Sequence, residues 1–165
     1  MKNVKMITKI AMLSALTISV SMMFVLPIPA TNGLVTLCEA GIYTSAFLLG
    51  PTGGFFVGAI SGAAIDLLSG YAQWILFSAL IHGVQGWLCG LLYAKFTHHK
   101  RSISLTTASI WMICAYSLAT AFLYTWPAGL ASIPGNIFQN LFGIVVTVPL
   151  VSALKKINQF HTKEE

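Results

Sequence analysis

The chain has 165 residues, of which 56% are hydrophobic and only 8% are charged, and its mean hydropathy is +0.81. A soluble domain typically has about 25% charged residues, and a small domain has too much surface to hide so many apolar side chains. These values exclude a soluble globular protein and indicate an integral membrane protein. The net charge of +5 does not indicate nucleic-acid binding, because the basic residues are few and flank apolar segments.

The first apolar segment, residues 6–26, follows three lysines and precedes Pro27 and Pro29. A secretory signal peptide has a similar order, but its apolar region is about 7–15 residues long. This segment is longer and more apolar segments follow it. We therefore interpret it as a retained first membrane helix.

A membrane-spanning helix needs about 20 apolar residues. The sequence predicts a single all-α membrane domain over residues 1–165 with six helices. The second segment is short, so it is a weak span or a partly inserted helix, and Gly50, Pro51, Gly53 and Gly54 mark a turn after it. The predicted helices are residues 6–26, 38–49, 55–68, 74–96, 103–126 and 137–154, with outer loops at 27–37, 70–73 and 127–134.

The basic residues form three clusters: residues 2–9, residues 95–101 and residues 155–163. With six helices, all three clusters fall on one side of the membrane, and Lys and Arg bias predicts that this side is cytoplasmic. Both termini are then cytoplasmic in a bacterial plasma membrane. The interior acids Glu39 and Asp66 fall near the outer side.

Polar residues recur at helical spacing in the outer half of several predicted helices. Polar side chains within a membrane face the bundle interior or a cavity, so the pattern predicts an outward-opening pocket with aromatic walls. The pattern does not indicate a channel or a proton relay, because either would need polar groups at every depth of the membrane. The candidate substrate-binding residues are Glu39, Tyr43, Trp74, Phe77, His82, Tyr124, Asn136, Gln139 and Asn140.

Each candidate also has a structural interpretation. Glu39 can favour the positive end of a helix dipole, and His82 can be a hydrogen-bonded core histidine. Asp66 can be a buried structural acid, and the three amides can bond neighbouring helices. The aromatic residues can form an interfacial belt.

Small residues repeat every fourth position in two places. Gly54, Gly58 and Gly62 suit close packing between helices within the bundle. Ala11 and Ala15 lie at the inner end of the first helix, a position that suits docking to another membrane protein. The three cysteines show no metal-ligand or disulfide spacing. The chain also contains no Walker A loop or nucleophile elbow, so no metal, cofactor or catalytic role is predicted.

Several sequence segments resemble those of the substrate-binding S components of energy-coupling factor (ECF) vitamin transporters. The resemblance covers about half the chain and is closest to the hydroxymethylpyrimidine, pyridoxine and riboflavin branch. It rests on Ala11-x-x-x-Ala15, Cys-Glu-Ala-Gly-Ile-Tyr at 38–43, Leu-Gly-Pro-Thr-Gly-Gly at 49–54, Ile-Asp-Leu-Leu-Ser-Gly-Tyr-Ala-Gln-Trp at 65–74 and Ile-His-Gly-Val-Gln-Gly at 81–86.

The resemblance implies a six-helix subunit that binds a vitamin from outside, under the loop at 27–37, and is not itself an enzyme. It also implies that Ala11 and Ala15 face a transmembrane coupling subunit, and that two cytoplasmic ATPases drive transport. Pyridoxine or hydroxymethylpyrimidine is the expected substrate, and riboflavin or thiamine is the alternative. A small membrane enzyme and an assembly protein are the rival functions.

Overall fold

A computed structural model describes residues 2–29 and 33–161. Five helices in this part of the chain are long and apolar enough to cross a membrane. They are α1 (Lys2–Met22), α2 (Cys38–Leu68), α3 (Ile75–Lys95), α4 (Lys100–Leu123) and α5 (Trp126–His161), with a single 3-10 turn (Ala72–Trp74) before α3.

Helix α2 contains both the second and the third predicted segments, so the predicted count of six helices is not confirmed. Gly50 interrupts it with φ 75° and ψ −166°, a conformation that glycine adopts readily because it has no Cβ. Pro51 then begins the second half, where its missing N–H costs no helical hydrogen bond. The predicted turn at residues 50–54 is therefore a single non-helical residue.

The two halves of α2 pack against each other. Cys38 and Ile65 belong to one buried cluster, although a straight helix would separate them by about 40 Å. A Cβ on Gly54 would lie 3.0 Å from the Cβ of Ala46. Gly50 therefore reverses the chain, and the first and last turns of α2 lie at the same end of the bundle.

Helix α5 begins earlier than the sequence predicts, so the predicted loop at 127–134 is wrong. The hydroxyl of Thr125 accepts the backbone N–H of Ala128 at 3.3 Å, which satisfies one free donor of the first turn. Pro127 stands in that turn, where proline is tolerated. Pro134 and Pro149 lie inside the helix.

The predicted loop between the first two helices contains two short strands. β1 (Leu26–Ile28) pairs antiparallel with β2 (Gly33–Val35), and Pro27 lies opposite Leu34. The all-α prediction therefore misses a small hairpin at the end of the bundle where α2 begins.

Glycines hold the second half of α2 against α3. A Cβ on Gly54 would overlap the backbone carbonyl of Gly86, and one on Gly58 would overlap the carbonyl of His82. Only residues without a side chain allow two helix backbones to approach this closely. The close packing predicted from the glycine spacing is confirmed, and it fixes the depth of His82 in the bundle.

Candidate functional site

A cavity opens at the end of the bundle where α2 begins and ends. The empty space between its lining atoms, including the open mouth, is about 590 Å³. The β-hairpin, both ends of α2, the start of α3, the second half of α4 and the first half of α5 all contribute to it. The lining residues are Ile28, Gly33, Leu34, Thr36, Cys38, Gly62, Ile65, Asp66, Trp74, Ser78, His82, Met112, Tyr116, Thr120, Ser132, Asn136 and Gln139.

Aromatic rings form one side of the cavity around Trp74, which is only 3% exposed. Its ring centroid lies 5.8 Å from that of Tyr116, 6.1 Å from that of Phe77 and 6.2 Å from that of Tyr124. The first and third contacts are tilted and the second is edge-on, and all three distances are within the range that aromatic pairs prefer. Trp74 and Tyr116 reach the cavity itself, and such a wall suits a flat heteroaromatic ring.

Gln139 connects the start of α2 to α5. Its Nε2 donates to Oε1 of Glu39 at 2.8 Å, and its Oε1 accepts the backbone N–H of Thr36 at 2.9 Å. Gly143 lies one turn further along α5, where a Cβ would overlap Glu39. The close approach of the two helices therefore positions the carboxyl group of Glu39 directly behind the cavity lining.

Asp66 lies at the other end of α2 and lines the cavity. Its carboxyl group interacts with the hydroxyl of Ser78, which accepts a hydrogen bond of 2.6 Å from Tyr116. The three side chains belong to α2, α3 and α4. They form a polar edge beside the aromatic wall.

Three buried polar atoms around the cavity have no hydrogen-bond partner in the described part of the chain: Oε2 of Glu39, Oδ2 of Asp66 and Nδ2 of Asn136. A buried polar group without a partner costs about 1–3 kcal/mol. Such groups in a native protein are usually satisfied by water or a ligand. Asp66 and Asn136 line the cavity, so one acceptor and one donor are free for a bound molecule, whereas Glu39 lies behind the lining.

A hydrogen-bond network lies deeper in the bundle. The amide Nε2 of Gln85 donates to the hydroxyl of Tyr43 at 2.9 Å and to Oδ1 of Asn140 at 3.2 Å, and Tyr43 donates to that same oxygen. The Oε1 of Gln85 lies 2.8 Å from Nδ1 of His82. Because this oxygen can only accept, Nδ1 carries the proton, and Nε2 of a neutral His82 is an acceptor.

The structure separates the nine predicted site residues into three groups. Those that line the cavity are Trp74, His82, Asn136 and Gln139. Those that are fully buried behind it are Glu39, Tyr43 and Asn140. Those that pack beside Trp74 are Phe77 and Tyr124.

The sequence-based site left out several lining residues. Ser78 shares one face of α3 with the predicted His82, and Tyr116 and Thr120 share one face of α4, so helical spacing could have identified these three residues. Helical spacing could not have identified Thr36 or Met112 as lining residues. The backbone N–H of Thr36 bonds to a side chain of a distant helix, and the position of Met112 depends on tertiary packing.

Among residues 2–29 and 33–161, neither Lys nor Arg lines the cavity. Among the residues that the structure describes, no three His, Cys, Asp or Glu side chains are close enough together to hold a metal ion. Cys38 and Cys89 are free and buried, whereas Cys114 is free and exposed on the outside of the bundle.

A bundle of apolar helices that encloses a polar cavity with an aromatic wall defines a membrane-embedded binding protein for a small molecule. Residues 1–156 match the family model of the ECF-type riboflavin transporter S component. The chain belongs to this family, whose members are substrate-binding subunits and not catalytic ones. The predicted family and the prediction that the chain is not an enzyme are confirmed.

Two relatives match most of the chain. The thiamine precursor transporter HmpT of Lactococcus lactis subsp. cremoris is 32% identical over 164 residues, which cover 97% of this chain and 95% of the relative. An uncharacterized protein of Pyrococcus woesei is 31% identical over 137 residues, which cover 82% of this chain and 92% of the relative.

Proposed function

We propose that this S component binds a small aromatic vitamin precursor, with hydroxymethylpyrimidine as the first candidate and pyridoxine as the second. The observation that carries the proposal is the set of unpartnered atoms beside the aromatic wall. Oδ2 of Asp66 accepts hydrogen bonds and Nδ2 of Asn136 donates them. An aminopyrimidine carries an N–H donor next to a ring-nitrogen acceptor, so it complements both atoms.

The aromatic wall supports the same class of ligand. Trp74 and Tyr116 line the cavity next to Asp66, so a ring whose edge bonds to the carboxylate can rest its face on an aromatic side chain. The relative named as a thiamine precursor transporter, 32% identical over nearly the whole chain, adds independent support.

The absence of Lys and Arg from the lining disfavours a phosphorylated vitamin, because a phosphate binds best to cationic groups. Riboflavin is the alternative to these two ligands, since the matching family model is that of riboflavin S components. Its three fused rings and sugar-alcohol chain need more space than one pyrimidine. Thiamine carries a fixed positive charge, which Glu39 and Asp66 would favour.

The proposal includes the arrangement in the membrane. Each half of α2 crosses the bilayer, which gives six crossings and puts both termini in the bacterial cytoplasm. The reversal at Gly50 supports this count, and the distribution of Lys and Arg supports the orientation. A transmembrane coupling subunit and two ATPase subunits then supply the energy for uptake.

Purified protein tests the substrate assignment. Small molecules released by denaturation are identified by mass spectrometry, and the emptied protein is titrated with hydroxymethylpyrimidine, pyridoxine, thiamine and riboflavin. We expect the tightest binding for hydroxymethylpyrimidine, and a 10- to 100-fold loss in Asp66→Asn, which corresponds to about 1.5–3 kcal/mol for a charged hydrogen bond. Tighter binding of riboflavin than of any single-ring ligand would overturn the assignment.

Ser61→Ala is the matched control for Asp66→Asn. Ser61 is also a buried polar residue of α2 whose hydroxyl has no partner, but it does not line the cavity. The Ser61→Ala variant should bind the ligand as tightly as the unmodified protein does. An equal loss in both variants would mean that Asp66 acts through stability alone.

A further inference from the structure

A cationic cluster lies at the opposite end of the bundle from the cavity. It consists of Tyr93, Lys100, Arg101 and Lys155, which come from the end of α3, the start of α4 and the end of α5. The Nζ atoms of Lys100 and Lys155 lie 4.6 Å and 4.8 Å from the centroid of the Tyr93 ring. Three helices thus bring their cationic side chains together around one aromatic ring.

Hydrogen bonds hold these side chains in place. Nζ of Lys155 donates to the hydroxyl of Tyr93 at 2.7 Å, and Nη1 of Arg101 donates to the hydroxyl of Ser152 at 3.2 Å. The four side chains of the cluster and that of Ser152 are half-buried, in contrast to the exposed Lys95 and Lys156 nearby in the sequence. The cluster is therefore an ordered arrangement, and its long side chains have already lost much of their rotamer freedom.

The cluster has no anionic partner in the part of the chain that the structure describes. The acids there are Glu39 and Asp66, both buried at the cavity end. Like charges held close together repel one another, and the ring of Tyr93 offsets that repulsion only in part. An anion between the ammonium and guanidinium groups would remove the repulsion and accept their remaining N–H donors.

We propose that this cluster binds the phosphate group of an anionic lipid. Tyr93 lies two residues before the end of α3, Lys100 is the first residue of α4, and Lys155 is next to the last residue of the span at the end of α5. Span ends lie at the depth of lipid headgroups, where phosphates are concentrated. A planar guanidinium beside two ammonium groups suits the oxygens of a phosphodiester.

Native mass spectrometry of protein taken from vesicles of phosphatidylcholine and phosphatidylglycerol tests the site. We expect the unmodified protein to retain phosphatidylglycerol preferentially. Arg101→Gln, Lys155→Gln and Lys100→Gln should each reduce that retention about tenfold, the effect of losing one hydrogen bond to a charged group. Lys95→Gln and Lys156→Gln remove the same charge from exposed positions and should change it little.

Tyr93→Phe provides a second test that keeps every charge. It removes the hydrogen bond to Lys155 but retains the ring under both lysines, so it should reduce lipid retention less than Lys155→Gln does. Vitamin binding should be unchanged in all these variants, because the cavity is at the other end of the bundle.

Three results would overturn the proposal. If the cluster variants and the two exposed-lysine controls lost lipid retention equally, general surface charge would explain the effect without a specific site. Protection against thermal unfolding by inorganic phosphate alone, without selective lipid retention, would assign the site to a free anion. Unchanged lipid retention combined with lost association of the coupling subunit would assign it to a protein partner.

Discussion

Gln139 of α5 donates from Nε2 to Oε1 of Glu39 in the first turn of α2, across 2.8 Å and a hundred residues of sequence. The same amide accepts the backbone N–H of Thr36, the residue that follows the β-hairpin. One side chain therefore holds together three parts of the cavity end: the hairpin, α2 and α5. This relationship makes Gln139 a support for the site as well as part of its lining.

Gln139→Leu should weaken ligand binding about tenfold and lower the melting temperature in detergent. The leucine leaves the Thr36 N–H without its partner and removes the hydrogen bond to Oε1 of Glu39, which also lies 3.7 Å from Nδ1 of His82. An unsatisfied buried group costs about 1–3 kcal/mol. Calorimetric titration and a thermal melt measure the two effects. Gln73→Leu is the control, since Gln73 is exposed and makes only a 3.3 Å bond to Tyr124. Equal behaviour of both variants would contradict this role.

Trp74→Leu should reduce ligand affinity about tenfold, because a ring contact in the cavity contributes roughly 0.5–1.5 kcal/mol beyond the area it buries. Ligand binding should also quench the fluorescence of Trp74 in the unmodified protein. Trp126→Leu is the matched control, since Trp126 is 69% exposed and lies outside the lining. If Trp126→Leu lost as much affinity as Trp74→Leu, the aromatic wall would be wrongly placed.

Gly86→Ala should destabilise the bundle strongly, because the new methyl group would overlap the backbone carbonyl of Gly54. Backbone atoms cannot move aside as a side chain can, so the helices must separate, and overpacking typically costs about 1–3 kcal/mol. Gly135→Ala is the control. There the methyl group would meet the end of the flexible Ile28 side chain at 2.8 Å, so the cost should be smaller. Thermal melts rank the two variants.

Ala11→Trp combined with Ala15→Trp should abolish uptake in cells while leaving ligand binding intact. Both alanines are exposed on α1, and that helix buries little of its surface in the bundle. Large side chains there would block close approach by a coupling subunit but would not reach the cavity. Ala131→Trp, at an exposed position near the start of α5, should leave both uptake and binding unchanged. Normal uptake in the double variant would contradict the docking role.

Composition and helical periodicity were enough to predict the membrane class, most helix positions and the end of the bundle that holds the polar residues. These two signals gave wrong helix boundaries where the local structure tolerates a helix-breaking residue. Pro127 signalled a loop, but proline in the first turn of a helix costs little, and Thr125 caps that turn. The predicted five-residue turn is a single non-helical residue, Gly50, and helical periodicity could not have predicted so short an interruption.

The candidate site was likewise predicted only in part from the sequence. Spacing identified Asn136, Gln139 and Asn140 as one face of a helix, but it could not tell which of them reach the cavity. Asn140 is instead bonded to Tyr43 and Gln85 in the buried network. That outcome depends on how far α5 is rotated against α2. The rotation is fixed by the contact of Gly143 with Glu39, which is a tertiary property.

Titration of the emptied protein with hydroxymethylpyrimidine, followed by calorimetry and by Trp74 fluorescence, tests the central claim most directly. The account predicts saturable binding of one molecule per chain, tighter than that of riboflavin or thiamine and weakened by Asp66→Asn. Folded protein that shows no saturable binding to this ligand or to pyridoxine, or that binds it equally well as Asp66→Asn, would contradict the account.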